Sequence, residues 1–485
     1  MEVLALVRSI KNSFLPVNRI PPNILLLIPK YWGECDIDKN VITLTHVCRG
    51  WRGLFIADPS LWTRLDCRDV DKTRVYIQRS KSSGLNISLR RSEGRAFLEN
   101  PFLWVSPHIG RLKFLSIVGT EDTLRNIAQH ISRPTPLLRG LTIDLTCGPA
   151  PILNSTLFNG DLSSLHTLTL SGVITHLPWR NLSNLTTFEL RFIPEDKIPV
   201  TRLLNFLERA YRLRNVTLIG SIPTSSDAPL ERVIFLPHLE NLTIVANPAH
   251  STLLNHLCIP VGSSLMLGFN LTGKPPLFRD YLPKKLENLK NIYSATSASL
   301  RFDGPERFLW LGGPNGRLRV IASQSSWFPS WKADCQVFRS LNYFPLSTAQ
   351  RLAVTKFKLP MAVVMEKSTP YIVLHRMKGL RTLTLIQCNN LPFIHALNPD
   401  KNPSKHRLCP ELEQVVLYVE EQTAFNIPEL MCMAKERASA GKKLSSITIV
   451  GLGDLMPGRE VFKLREHVTS VDYKVEDKPP NWDSV

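Results

Sequence analysis

A six-position pattern, apolar-x-x-apolar-x-apolar, recurs along this chain and constrains its fold more than any other feature. It is carried first by Leu112-Leu115-Ile117, Leu138-Leu141-Ile143, Leu165-Leu168-Leu170, Leu185-Phe188-Leu190, Leu213-Val216-Leu218 and Leu239-Leu242-Ile244. It returns at Val354-Phe357-Leu359, Leu380-Leu383-Leu385, Leu412-Val415-Leu417 and Leu444-Ile447-Ile449. First positions fall 20 to 28 residues apart in the first block and 26 to 32 apart in the second. The last two apolar positions lie two residues apart, so they point to one side of a short strand that buries one face. Between strands run helical stripes. Leu124, Ile127, Ala128 and Ile131 follow Asp122, and Leu203, Phe206, Leu207 and Ala210 follow Thr201, each stripe behind a capping-type residue. A strand-and-helix unit of this size buries its apolar side only against its neighbours, so the pattern predicts an α/β fold built of stacked units.

These intervals resemble leucine-rich repeats with irregular loops. From Gly262 to about Arg351 the pattern degrades. Gly262-Leu265-Leu267 and Ser297-Leu300-Phe302 are weak echoes, and the stretch from Leu311 through Gly312-Gly313-Pro314-Asn315-Gly316 reads as a turn-rich insertion. Upstream, Leu85 to Leu89 alternates as an opening strand would, with Asp71 to Ser80 a helix before it, and Glu476 to Trp482 reads as a loose tail.

The 485 residues, 43% hydrophobic and 21% charged, suit an ordered protein with a sizeable core. A net charge of +18 points to acidic partners without choosing among nucleic acid, membrane surface and protein. The densest basic stretch, Arg64, Arg68, Lys72, Arg74, Arg79, Lys81, Arg90, Arg91 and Arg95, is interleaved with Asp66, Asp69, Asp71 and Glu93 and reads as a solvated face. Nine scattered cysteines without a Cys-x-x-Cys pair predict free thiols in a reducing compartment and no zinc site. Met1 to Arg8 lacks the basic start of a secretory signal, and no apolar run reaches the length of a membrane helix. The expected location is cytoplasmic or nuclear, which makes the seven Asn-x-Ser/Thr matches accidents of the repeat.

Near the N-terminus, Trp51, Leu54 and Phe55 form one stripe with Val47 at helical spacing, and Asp58-Pro59 ends the helix. Before it, Pro21-Pro22 suits a first helical turn, with Ile24, Leu27, Ile28 and Tyr31 on one side. Asp36 and Asp38 can start a second helix, whose Val41, Leu44 and Cys48 continue inward. Three helices in roughly forty residues bury too little to stand alone, so a partner helix or domain is implied.

Ile20-Pro21-Pro22-Asn23-Ile24-Leu25, Val47-Cys48-Arg49-Gly50-Trp51-Arg52 and Pro59-Ser60-Leu61-Trp62 together resemble an F-box. The following Thr63 to Asp66 and Asp71 to Ile77 are similar to fungal F-box proteins. Two positions depart from the family's pattern: Ile20 stands in place of leucine, and Asn23 in place of a glutamate near a helix start. The resemblance implies docking on a Skp-family adaptor, and through it on a cullin and a RING protein. The residues concerned are Pro21, Pro22, Ile24, Leu25, Ile28, Leu44, Val47, Cys48, Trp51 and Leu54. It divides the chain into an N-terminal extension (1–17), an F-box-like module of three helices (18–66), a connecting segment with the first repeat (67–108), a leucine-rich-repeat solenoid (109–460, degenerate about 262–351) and a tail (461–485).

The chain contains no Gly-x-Ser-x-Gly, His-Glu-x-x-His or complete phosphate loop, and its histidines stand apart from metal-ligand spacing. No enzyme, metal or cofactor is expected. Substrate contact falls instead to residues between the inward apolar positions, which project from the other side of each strand: Thr142, Asp144, Thr169, Glu189, Arg191, Thr217, Thr243, Thr384 and Tyr418. This row is largely neutral, so nucleic acid is not expected along it and the basic surplus is expected elsewhere. The function expected is that of a substrate-recognition adaptor of an SCF-type ubiquitin ligase, binding a protein through its repeats. The alternative is a repeat scaffold or nucleic-acid-binding protein, acting through the Arg64 to Arg95 region, with no ligase role.

Overall fold

A computed structural model describes residues 3, 7, 10–12, 14–31, 37–90, 102–128, 130–131, 133–147, 152–153, 157–160, 162–175, 181–192, 198–220, 228–229, 231–245, 250–271, 282–293, 295–313, 316–324, 330–358, 368–398, 408–420, 426–452, 459–477 and 479. The fold is mixed α/β with a large, mostly parallel sheet. The chain divides into two compact units, Met1–Pro194 and Glu195–Val485.

The first unit opens with helices α1 (Pro22–Leu25), α2 (Ile37–Thr45) and α3 (Arg49–Ala57). Six parallel strands follow, each beside its predecessor: β1 (Arg64–Asp66), β2 (Leu85–Arg90), β3 (Leu112–Thr120), β4 (Gly140–Cys147), β5 (Thr167–Ser171) and β6 (Thr187–Arg191). Helix α4 (Val70–Arg79) joins β1 to β2, and α5 (Glu121–Ala128) follows β3. The register aligns Leu65, Ile87, Leu115, Leu141, Leu168 and Phe188 in one row, each at most 2% exposed. Each such side chain contributes about 1.5–3 kcal/mol of hydrophobic stabilisation.

The first apolar position of the repeat works differently from the other two. The amide N–H of Leu138 donates to Thr135 O at 3.0 Å, that of Leu165 to Leu162 O at 3.1 Å and that of Leu185 to Leu182 O at 3.1 Å. The residue thus closes a tight turn while its side chain enters the core. The two variable residues after it carry the chain into the strand. At the far end, the backbone of Gly172 (φ +63°) and Phe192 (φ +52°) is left-handed and turns the chain off the ladder.

In the second unit α6 (Val200–Arg209) precedes β7 (Asn215–Ile219), β8 (Asn241–Val245) and β9 (Ser264–Leu271). Then come β10 (Ser297–Asp303), β11 (Glu306–Gly313) and β12 (Gly316–Gln324), an antiparallel meander. Strands β13 (Arg351–Thr355), β14 (Thr382–Ile386), β15 (Gln414–Val419), β16 (Ser446–Leu452) and β17 (Ser470–Glu476) continue in parallel. The meander is inserted with its last strand parallel to β9 and its first parallel to β13. The spatial order is therefore β9-β12-β11-β10-β13, in which β11 runs against both neighbours. Helices α7 (Ser330–Ser340), α8 (Ser368–Leu374), α9 (Leu391–Leu397) and α10 (Ile427–Ser439) fall between later strands. Asn426 caps α10 by accepting the Glu429 N–H at 3.2 Å. From the same helix the buried Arg437 donates to the carbonyls of Leu408 and Cys409, at 3.1 and 2.9 Å.

Several sequence expectations need correction. Val354-Phe357-Leu359 is out of step, because the residues level with Leu383 and Leu385 are Leu352 and Val354, so the pattern there is Ala349-Leu352-Val354. Both weak echoes are full strands, with Leu265, Leu267, Leu300 and Phe302 buried. The ladder begins at β1 and not at Leu85, and residues 461–476 hold the last strand and are not tail: Val461, Leu464, Val468 and Val471 are buried. Trp62-Leu65-Cys67 and Val468-Val471-Tyr473 both fit the repeat and were the signals for these two strands. Thr201 lies inside α6, whose cap is Pro199.

Candidate functional site

Helix α3 starts two residues later than its apolar spacing predicts. Cys48 has extended backbone (φ −157°, ψ 170°) and caps the helix, its Sγ accepting the Trp51 N–H at 3.5 Å. Val47 therefore lies outside the helix and is 49% exposed instead of joining the stripe. Asp58 ends α3 and caps the next turn through Ser60 N–H at 3.0 Å. Within that turn the Trp62 indole N–H donates to Phe55 O at 3.0 Å, and its ring packs edge-on to Tyr76 with the Arg79 guanidinium 4.3 Å away. This core fastens α3 to α4 and β1.

The residues named for adaptor docking separate into three sets. Leu25, Leu44 and Trp51 are buried within the chain, while Ile28, Cys48 and Leu54 are half-buried. Pro21, Pro22, Ile24 and Val47 are exposed. Leu27 and Ile42, outside that set, are exposed apolar residues too, and Tyr31, Asp36 and Asp38 have no described side chain. The buried indole N–H of Trp51 has no acceptor among the described residues. An unmet donor of this kind costs about 1–3 kcal/mol.

The basic stretch after this region is largely occupied locally. Arg68 pairs with Asp66, Arg74 lies 4.1 Å from the Trp104 ring and Arg79 stacks on Trp62. Glu93, Arg91 and Arg95 lie outside the described residues.

On the strands of the first unit, Thr142, Thr169 and Glu189 stand side by side, as do Asp144, Ser171 and Arg191. Thr142, Asp144, Thr169, Glu189 and Arg191 are half-buried, and Ser171 is buried. Arg191 Nε donates to Glu189 Oε1 at 2.6 Å, and Thr169 Oγ1 donates to Glu189 Oε2 at 3.3 Å, so the two charges neutralise each other.

In the second unit the expected row is interrupted by residues that the repeat pattern did not reach. Thr217 and Thr243 are followed across the sheet by Met266, Arg319, Trp310, Ser299 and Ala353 before Thr384 is reached. One row along, Ser264, Arg317, Gly312, Ser297 and Arg351 are level. On the other side, Phe308 and Arg301 are level, and Thr355, Ile386 and Tyr418 continue that row. The strand face of this unit is thus not neutral, contrary to expectation. The clue was Arg317-Leu318-Arg319-Val320, whose alternation sets two arginines on one face.

Trp310's indole lies over Gly312, in the space a β-carbon would take. Phe308 has the Arg301 guanidinium at 6.0 Å and that of Arg319 at 5.9 Å. Asp303 takes Arg301 and, at 3.0 Å, Lys356, and these two cations hold its carboxyl below the usual range, Lys356 most strongly. Arg317, Arg319 and Arg351 are exposed, and none has an ion pair among the described residues. Beside Arg317 opens a cavity of about 690 Å³ whose wall includes Glu240, Val261 and Ser264. Tyr418 is half-buried, and burial, then Glu476, raises its hydroxyl pKa.

Among the described residues no cluster of three metal-ligating side chains occurs, and no helix is long and apolar enough to cross a membrane. Burial pushes the thiols of Cys67, Cys388 and Cys409 up to about 12, which suits packing and not nucleophilic chemistry. No family model and no curated protein sequence matches the chain.

Proposed function

We propose that this chain is a substrate-recognition adaptor of an SCF-type cullin-RING ubiquitin ligase. Its N-terminal helices act as an F-box that docks on a Skp-family protein, and its strands form a leucine-rich-repeat array that receives a protein substrate. In this reading the chain performs no chemistry itself. It raises the rate of ubiquitin transfer by holding the substrate near a charged conjugating enzyme.

The observation that carries the reading is the surface of the helical module. Ile24, Leu27, Ile42 and Val47 are 37–49% exposed, and the buried Trp51 N–H has no acceptor among the described residues. A module this small gains stability by covering such residues with a partner's apolar helix. Leu25, Leu44 and Trp51 then hold the surface in shape, while the exposed residues make the contact.

The test is recovery of a Skp-family adaptor with the full chain carrying Ile24→Asp and Val47→Asp together. Both residues are exposed, so circular dichroism and the melting temperature are expected to stay near those of the unaltered chain while adaptor recovery is lost. Undiminished recovery with the folded double variant overturns the assignment. Trp51→Ala is a poor substitute because it removes a core residue. The alternative, a nucleic-acid scaffold acting through Arg64 to Arg95, is weakened by the local partners of Arg68, Arg74 and Arg79.

A further inference from the structure

We infer that the face of the β10-β11-β12 meander is the docking site for an extended acidic protein segment with an apolar residue between its carboxylates. The inference rests on the reading above in taking this face as the one that receives the substrate. It concerns residues outside the repeat pattern.

Charge complementarity selects the occupant. Arg317, Arg319 and Arg351 are exposed and lack ion pairs among the described residues. Arg317 and Arg319 are two residues apart on one strand, roughly 7 Å along it, and Arg351 lies level with Arg317 across three strand spacings, roughly 14 Å. An extended chain repeats side chains on one face every two residues at roughly 7 Å, so carboxylates at positions i and i+4 span Arg317 and Arg351. The residue at i+2 then falls above Gly312 and Ser297. Trp310's indole covers that place, an apolar surface between two cations. Phe308, with guanidiniums on both sides at about 6 Å, extends it.

The extent of the patch favours a peptide over nucleic acid. Outward from Arg317 the same row reads Ser264, Asn241 and Asn215, and outward from Arg351 it reads Thr382, Gln414, Ser446 and Ser470. A single strand of nucleic acid needs cations along its whole path, and sites for it usually hold about four or more nucleotides. A cationic stretch of roughly 14 Å holds the five residues of an extended peptide from i to i+4.

The experiment measures fluorescence anisotropy of the full chain with a fluorescein-labelled peptide, Gly-Ser-Glu-Gly-Phe-Ser-Glu-Gly-Ser, which sets Glu, Phe and Glu two residues apart on one face of an extended chain. The controls are the same peptide with Lys for Glu, and a labelled oligouridine. The expected result is saturable binding of the Glu peptide, weakened by added salt and by about tenfold or more in Arg317→Glu/Arg319→Glu, with the Lys peptide not bound. In Trp310→Ala the Glu peptide loses affinity while its salt dependence is kept. Circular dichroism verifies that each variant is folded. Equal affinity of the charge-reversed and unaltered chains overturns the inference, and so does oligouridine binding tighter than the Glu peptide with the same sensitivity at Arg317 and Arg319. No adaptor is present in this assay, so its failure leaves the adaptor-recovery result standing and is distinguishable from failure of the F-box reading.

Discussion

Arg307 Nε stands 2.8 Å from Asp334 Oδ1, with the two side chains only 2% and 9% exposed. The pair ties β11, the strand inserted against the sheet direction, to α7. Arg307 also donates to Gly304 O at 3.0 Å, at the turn between β10 and β11. A buried ion pair adds little net stability over apolar packing, but removing one partner strands the other charge. Asp334→Ala is therefore expected to destabilise the protein by about 3–5 kcal/mol. Urea unfolding followed by circular dichroism measures this, and a loss below about 1 kcal/mol would show that water reaches Arg307.

Trp62 joins three elements through one side chain, fully buried and hydrogen-bonded to Phe55 O. Trp62→Phe keeps most of the apolar contact but leaves the carbonyl at the end of α3 without its donor, an expected loss of about 1–3 kcal/mol. Trp62→Ala opens a cavity as well and should cost about 3–5 kcal/mol. Thermal melts of the two variants should rank in that order.

Thiol labelling should divide the described cysteines by burial. Cys67, Cys388 and Cys409, pushed up to about 12, should resist iodoacetamide in the folded chain at neutral pH, since the thiolate is the reacting form. Cys48, half-buried at the start of α3, should label, and a bound Skp-family adaptor should protect it. Peptide mapping by mass spectrometry reads both effects, and labelling of Cys48 that is indifferent to the adaptor counts against docking there.

Acid should weaken the meander through Asp303. Its carboxyl is held below the ordinary value by Lys356 and Arg301, so its folded-state pKa lies below the unfolded one. The stabilisation is then present above the unfolded value and lost as pH falls through the folded one. Asp303→Asn should flatten that part of the stability-versus-pH curve. If the unaltered and Asn chains lose stability in parallel between pH values of about 5 and 2, Asp303 makes no such contribution.

Much of the fold was legible because burial on one face imposes a period on the sequence. The second and third apolar positions mark a strand, and the first marks the turn before it. The unit was therefore readable at Leu138, Leu165 and Leu185 without knowledge of any neighbour. The same logic placed α6 from Leu203, Phe206 and Leu207. It misplaced the start of α3, because an apolar stripe records which residues pack and not where the backbone becomes helical. Cys48, extended and capping Trp51, decided that point.

The sequence by itself determined the strands and helices of the regular repeats, since alternation and helical spacing are local consequences of burying one side of an element. It also determined the apolar character of the N-terminal helices and the charge surplus of +18. Only the tertiary structure decided which side chains share the outward face. The place of the meander in the sheet is set by pairing with the distant strands β9 and β13, and the Lys356 contact to Asp303 spans 53 positions in the same way. Outward residues are free of the core's demands, so nothing local fixes their neighbours. Arg317, Trp310 and Arg351 meet because β11 enters the sheet reversed, between β12 and β10.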